Sequence, residues 1–372
     1  MSPPNTYHVI GIMSGSSLDG LDLAYCRFTE TNNQFDWELL LGETMPLSET
    51  WQARLAHLPT QNAMTFARTH VYLGHFIAEC VNQFIAKHNI DQLDFLASHG
   101  HTIFHNPDKR FTSQIGCGSA IAAITGYPVI NDFRMQDIAI NGEGTPIAPA
   151  ADRYLFAEYD FCLNIGGIAN ITSLLQDNPI AYDIAPANQL LNFLAAQLGM
   201  PYDLNGQIAA SGTLLPDLLM QLQDFEYYQS PPPKSISNEW IATQVIPILA
   251  SFDASTEDKL HTTTHFIAHQ ISKNVVQLTK YKPKSGYRLM VAGGGSNNQY
   301  LIESIQSLFP QKLNLELIVP PKETIDFKEA ILMGLMGVLR VLNRPNCFSS
   351  VTGAQFDTIG GAIHQGHKKQ IT

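Results

Sequence analysis

Apolar positions in the first thirty residues run in short blocks broken by small residues. Tyr7-His8-Val9-Ile10-Gly11-Ile12-Met13 is followed by the turn Ser14-Gly15-Ser16-Ser17, then by Leu18-Asp19-Gly20-Leu21-Asp22-Leu23-Ala24-Tyr25-Cys26-Arg27-Phe28. Two apolar runs across a Gly/Ser/Asp turn predict a β-hairpin, and residues 35–41 supply a third strand. The period then changes. Ala63, Phe66, Ala67, Val71, Leu73, Phe76, Ile77, Cys80, Phe84 and Ile85 recur at helical spacing, predicting one long helix over 61–88, with a buried strand over 94–100. The opening device returns about 155 residues later as Phe161–Ile165, the turn Gly166-Gly167 and the run 168–175. A second unit is expected to begin near Tyr127–Asp132. Residues 257–280 predict another helix, 288–292 a strand running into Gly293–Asn298, and Tyr300 the start of a further helix; Pro231–Lys234 reads as a short extended spacer. The pattern predicts a duplicated α/β protein with a cleft between its two copies.

Length and charge narrow this picture. At 372 residues the chain suits two domains, at roughly 100–200 residues each. The net charge of −11 argues against a nucleic-acid partner, whose phosphates require a basic surface. Hydrophobic residues at 45 % against 15 % charged allow a large core and exclude disorder. No apolar stretch reaches the ~18–20 residues that cross a bilayer, and residues 1–13 lack the pattern of a secretory signal. Five scattered cysteines without a C-x-x-C read as reduced thiols, so a cytoplasmic protein with no membrane partner is expected.

Three glycine-rich turns each follow an apolar strand: Ser14–Asp22, Asn164–Asn170 and Gly293–Asn298. Glycine allows close main-chain approach, and exposed N–H groups in such turns bind anions. No G-x-x-x-x-G-K-[ST] and no strand-following G-x-G-x-x-G occur, which leaves a Walker-type or dinucleotide site without support. Hairpin phosphate loops in two related halves, with a third glycine turn towards the adenosine, fit an ATP site of the actin/hexokinase type.

Several segments carry a more specific likeness. Gly11–Asp22, Ser98-His99-Gly100-His101-Thr102, Asp132-Phe133-Arg134, Leu163–Asn170, Pro232-Pro233-Lys234-Ser235, Gly293–Asn298 and Ser350–Ala354 resemble, in the same order, the motifs of anhydro-N-acetylmuramic acid kinases. The resemblance spans nearly the whole chain. It implies two related actin/hexokinase-like (ribonuclease H-like) domains, expected at 1–133 plus about 348–372 and at 134–347. It also implies an ATP- and Mg²⁺-dependent enzyme of peptidoglycan recycling. Such an enzyme hydrolyses the 1,6-anhydro ring of 1,6-anhydro-N-acetylmuramic acid and phosphorylates O6, giving N-acetylmuramic acid 6-phosphate. The family commonly dimerises, so a homodimer is expected. By match, Gly15, Ser16, Ser17, Leu18, Asp19, Gly20, Leu21 and Asp22 line the phosphates, with Asp19 and Asp22 holding Mg²⁺ through water. Gly166, Gly167, Asn170, Gly293, Gly294, Gly295 and Asn298 complete the nucleotide site. His99, Gly100, Arg134 and Glu329 are assigned to the sugar, Arg134 as a clamp for its lactyl carboxylate. Asp183 matches the family's aspartate beyond the second hairpin and is the expected general base for the water that attacks C1.

Each assignment has a plainer competitor in the sequence: an exposed turn residue or a helix N-cap for Asp183, an Asp-Gly turn for Asp19, a dipole-favoured position for Glu329, a surface ion pair for Arg134. His99, His101 and His105 have no convergent Cys or carboxylate pattern that would make them a metal site, and His261, His265 and His269 form one helix stripe. The chain departs from the family at Ile184-Ala185-Pro186-Ala187, where Thr-Gly-Pro-Gly is usual, at Cys117 in place of an aspartate, at Met135-Gln136 and at Asn141–Thr145. These changes cluster towards the sugar. They leave two other readings: a kinase for a different small sugar, and a catalytically weakened nucleotide-binding homologue acting as a sensor or partner protein.

Overall fold

The opening hairpin forms as its alternation requires. In the computed structural model, which describes residues 5–15, 18, 20–31, 34–232 and 234–371, β1 (Asn5–Ser14) pairs antiparallel with β2 (Gly20–Thr31) and β2 with β3 (Gln34–Pro46). β4 (Phe95–Asn106) joins β1 in parallel, β5 (Phe111–Ile115) folds back on β4, and β6 (Val129–Asn131) extends the parallel edge. A C-terminal strand, Ala362–His364, closes that edge antiparallel to β6.

Both faces of β1 are covered, and successive residues serve different layers. Ile10 and Ile12 join Leu73, Ile77 and Phe84 of the helix Ala63–His88 in one core. That helix starts where the Asn62 side chain accepts the Thr65 N–H at 2.9 Å and ends at left-handed Asn89. Gly11 faces the other helix, Lys328–Val341: a Cβ built at residue 11 would lie 1.8 Å from the Ala330 carbonyl oxygen, so only glycine lets backbone meet backbone there.

Contacts divide the chain into a first unit, residues up to 155 with 322–372, and a second unit, Phe156–Pro321. The expected boundaries at 133/134 and 347/348 are therefore displaced. Helix Lys328–Val341 belongs to the first unit because it packs on β1, β2 and β4, and Trp37 Nε1 donates to the Leu155 carbonyl at 3.0 Å. Val129–Asn131, read as the opening of the second unit, is instead a strand of the first sheet. Val129 and Ile130 are fully buried between β4 and the C-terminal strand.

The second unit repeats the plan. β7 (Phe161–Ile165), β8 (Ile168–Ser173) and β9 (Ile180–Pro186) form the antiparallel meander, and β10 (Tyr287–Ala292) and β11 (Leu315–Ile318) add in parallel. Across the sheet the order is β11-β10-β7-β8-β9, matching β6-β4-β1-β2-β3 in the first unit. The duplication legible in the hairpins thus extends to all five strands of each core sheet. Helix Thr256–Leu278, capped by Ser255, drives Phe266, Ile267, Ile271 and Val275 into the second core. Among the described residues no helix is long and apolar enough to cross a membrane.

Candidate active site

In the second unit, the strand register lines up three polar side chains. Asn164 on β7 pairs with Asn170 on β8, and Asn170 with Asp183 on β9, so the three share one cross-strand row near the Gly166-Gly167 bend. Gly293, at φ +83°, brings the third glycine turn onto this row; a Cβ there would sit 2.6 Å from Asn164 Oδ1. Asn188 Nδ2 donates to the Ile165 carbonyl at 3.1 Å, tying the helix after β9 to the same bend. Two of the glycine turns expected to hold nucleotide are therefore adjacent. Beside them opens a cavity of about 410 Å³ lined by Asn188, Asn192, Tyr202, Gly294, Gly295 and Asn298 among others. Its size and mix of amide and aromatic groups suit a small organic ligand. Asn298 also caps the helix Gln299–Ser307 through the Leu301 N–H at 3.0 Å.

Asp183 is not a helix cap. It lies within β9, and the following helix, Asn188–Ala196, begins at Ala187 with no side-chain cap. Its Oδ2 accepts the Ile236 N–H at 2.9 Å. Burial pushes the carboxyl above the ordinary aspartate range, and this hydrogen bond opposes the shift. A half-buried carboxylate with a raised pKa is a competent proton acceptor near neutral pH.

The first unit assembles a different set. Arg134 Nε donates to His99 Nε2 at 2.9 Å and its Nη1 to the Gly144 carbonyl at 3.1 Å. An arginine can only donate, so His99 Nε2 accepts and its proton sits on Nδ1, facing the Gly100 carbonyl at 3.1 Å. His99 is only 4 % exposed, and burial, with the Arg134 charge second, takes its pKa down to about 3. The ring should therefore stay neutral, with the Nδ1–H tautomer, in an NMR titration from pH 5 to pH 8; protonation near pH 6.5 would contradict the arrangement. The sign for stability follows. Below pH ~6.5 the unfolded imidazole binds a proton that the folded one refuses, so this site disfavours folding increasingly as pH falls. Arg134 forms no ion pair among the described residues, which leaves its remaining N–H groups for an anion.

Glu329 occupies the first turn of Lys328–Val341, the helix seated on Gly11. It keeps contact with water, yet desolvation by surrounding protein, with the Asp22 charge second, pushes its carboxyl up. Asp22 accepts the Thr44 hydroxyl at 2.6 Å on the neighbouring strand. Gly15, Leu18, Gly20 and Leu21 lie on or beside the opening bend, with Leu18 left-handed at φ +59°; Ser16, Ser17 and Asp19 fall outside the described residues. The histidines at 99, 101 and 105 bond separate partners, His101 to Ser14 at 3.1 Å and His105 to Thr112 at 3.1 Å. His261, His265 and His269 are each partly exposed and lie along one stripe of helix Thr256–Leu278, which exposed Lys273 and Gln277 continue.

Two supports of these sites went unread in the sequence. Asp137 is fully buried, and its carboxylate accepts the Gly144 N–H and the Thr352 hydroxyl, both at 2.8 Å. It thereby fixes the loop whose carbonyl holds Arg134, and it ties that loop to the Ser350–Ala354 motif. The signal was available: an acid next to Ile138, on the apolar side of a short segment, needs partners. Tyr227, whose hydroxyl donates to the Asp183 carbonyl at 2.6 Å, had no signal beyond its ring.

Two units with one five-strand order, each opening on a glycine-bent hairpin, define an α/β protein of the actin/hexokinase class. Comparison of the sequence gives the particular family. The model of the anhydro-N-acetylmuramic acid kinase family matches residues 7–366, and the chain belongs to that family. It is 31 % identical over 375 residues to the anhydro-N-acetylmuramic acid kinase of Hydrogenovibrio crunogenus, covering 98 % of this chain and 99 % of that one. It is 32 % identical over 380 residues to the Pasteurella multocida protein of the same name, covering 98 % of each. Among solved structures, the activator of the 2-hydroxyisocaproyl-CoA dehydratase from Clostridium difficile with bound ADPNP aligns at TM-score 0.39 and 14 % identity, over 88 % of this chain and 93 % of that one.

Proposed function

We propose that this kinase uses ATP to convert 1,6-anhydro-N-acetylmuramic acid to N-acetylmuramic acid 6-phosphate, with Asp183 as the general base. The observation that carries the reading is Asp183 itself: a half-buried, proton-accepting carboxylate in the row beside two adjoining glycine turns. Asp183 takes a proton from water as the water oxygen bonds to C1. The C1–O6 bond breaks, and O6 receives the γ-phosphoryl group of ATP, with ADP as the leaving group. Phosphoryl transfer itself rests on positioning and charge stabilisation. The second unit supplies the Gly166-Gly167 and Gly293–Gly295 turns for the nucleotide, with the adjoining cavity for its nucleoside. The first supplies the bend 15–22, and Arg134, His99, Gly100 and Glu329 for the sugar.

The donor set suits Mg²⁺, which keeps several waters and takes one or two carboxylates. Asp22 lies near enough to Glu329 to raise it, a surplus of negative charge that a divalent cation offsets. Asp22 and Asp19 would hold the ion through water, and when bound it neutralises phosphate charge.

Purified protein given ATP, Mg²⁺ and 1,6-anhydro-N-acetylmuramic acid should release ADP and the 6-phosphate in equal amounts. Intact nucleotide binding without turnover would retire the reading. Faster turnover of another anhydro or reducing sugar in the same assay would reassign the substrate.

A further inference from the structure

β9 is an edge strand, with β8 as its only ladder neighbour among the described residues. A base on such an edge needs support from its open side, and one segment supplies it. The Asp183 N–H donates to the Lys234 carbonyl at 3.2 Å, the Ile236 N–H donates to Asp183 Oδ2 at 2.9 Å, and the Tyr227 hydroxyl donates to the Asp183 carbonyl at 2.6 Å. Three polar atoms of one residue are thus held by residues 227–236. The segment is braced internally: Lys234 Nζ donates to the Tyr227 carbonyl at 3.0 Å and lies 4.7 Å from the centre of the Tyr227 ring. Tyr227 in turn packs against Trp240 and Tyr228, with ring centres at 5.9 and 5.6 Å.

We propose that Tyr227 is a positioning residue for Asp183. Its hydroxyl pins the backbone at 183, so that Oδ2 stays on the Ile236 N–H and Oδ1 is presented to water. This role rests on Asp183 acting as the base. An unpinned strand edge would let the carboxylate swing from that N–H. Reaction geometry would suffer, and the carboxylate would lose a bond that favours its charged form. The titratable groups around it are Tyr182, Tyr227 and Tyr228, with Lys234 on the bracing segment and Lys273 behind it on helix Thr256–Leu278.

The neighbouring residue provides a matched control. Tyr228 is buried, and its hydroxyl has no partner among the described residues. Tyr227→Phe and Tyr228→Phe therefore remove the same atom one position apart, and neither disturbs ring packing. Tyr227→Phe should lower kcat about tenfold, within the ~100-fold that a 1 Å misplacement costs, and leave the KM for ATP unchanged. It should also move the acid limb of the kcat profile to higher pH. Tyr228→Phe should change neither kcat nor the limb. Equal effects from both variants would assign the loss to the aromatic cluster and overturn the role, as would an unaltered kcat and acid limb in Tyr227→Phe. Asp183→Asn separates the premise: an active Asp183→Asn enzyme overturns the base and this role together. An inactive one beside an unaltered Tyr227→Phe overturns the role alone.

Discussion

Asp183→Asn should abolish sugar phosphorylation while leaving ATP affinity within a few-fold. The amide keeps the shape of the side chain and can still accept the Ile236 N–H, but it cannot take a proton from water. General-base contributions run to ~10²–10⁴-fold, so the loss should reach at least the lower end of that range. Isothermal titration with ATP, run beside the coupled assay, separates chemistry from binding; an active variant would remove the base.

The same substitution should raise stability, and the sign is fixed by the pKa. Burial raises the folded carboxyl above its unfolded value, so its contribution to stability is full when protonated and is lost as pH rises through the folded pKa. The asparagine carries no such loss. Its advantage in thermal unfolding should be greatest at neutral pH and shrink on acidification. A pH-independent difference would count against the shift. Such a cost in stability is common where a charge is kept half-buried for function.

The largest structural effect is expected at Gly11. A methyl group there would stand 1.8 Å from the Ala330 oxygen and 2.8 Å from the Gly334 nitrogen, both backbone atoms that no rotamer change can move. Either β1 or the helix Lys328–Val341 must shift. Gly11→Ala should cost roughly 3 kcal/mol, the upper end for overpacking, and lower the midpoint of urea unfolding. Because the helix carries Glu329, which we propose for the sugar, residual activity should also show a raised KM for the sugar. An unchanged midpoint would mean that the close approach is relieved without cost.

Where the pattern was periodic, the sequence was easy to read. The two hairpins and the helix 61–88 appear within a few residues of their expected bounds, because alternation and helical spacing report burial directly. The unit boundaries were not legible. Helix Lys328–Val341 lies far along the chain from β1, and its attachment rests on a missing Cβ at Gly11, which no window of residues reveals. The glycine turns and Asp183 could be read from the motifs they sit in. Their adjacency could not, since it depends on the register that aligns Asn164, Asn170 and Asp183. The supports of the site were least visible. Ile236 acts through a main-chain N–H and Tyr227 through a single hydroxyl, so neither leaves a compositional trace.

The first unit is made of two stretches separated by the whole of the second, and this orders its birth. At ~5–20 residues per second, on the order of ten seconds pass between the emergence of residue 155 and that of residue 322 from a ribosome. Throughout that interval Val9 and Gly11 have no helix to lie against, whereas residues 156–321 have every strand of their own sheet once it ends. The later half of the nascent protein is therefore equipped to mature first, and the earlier half must wait for the last fifty residues to arrive.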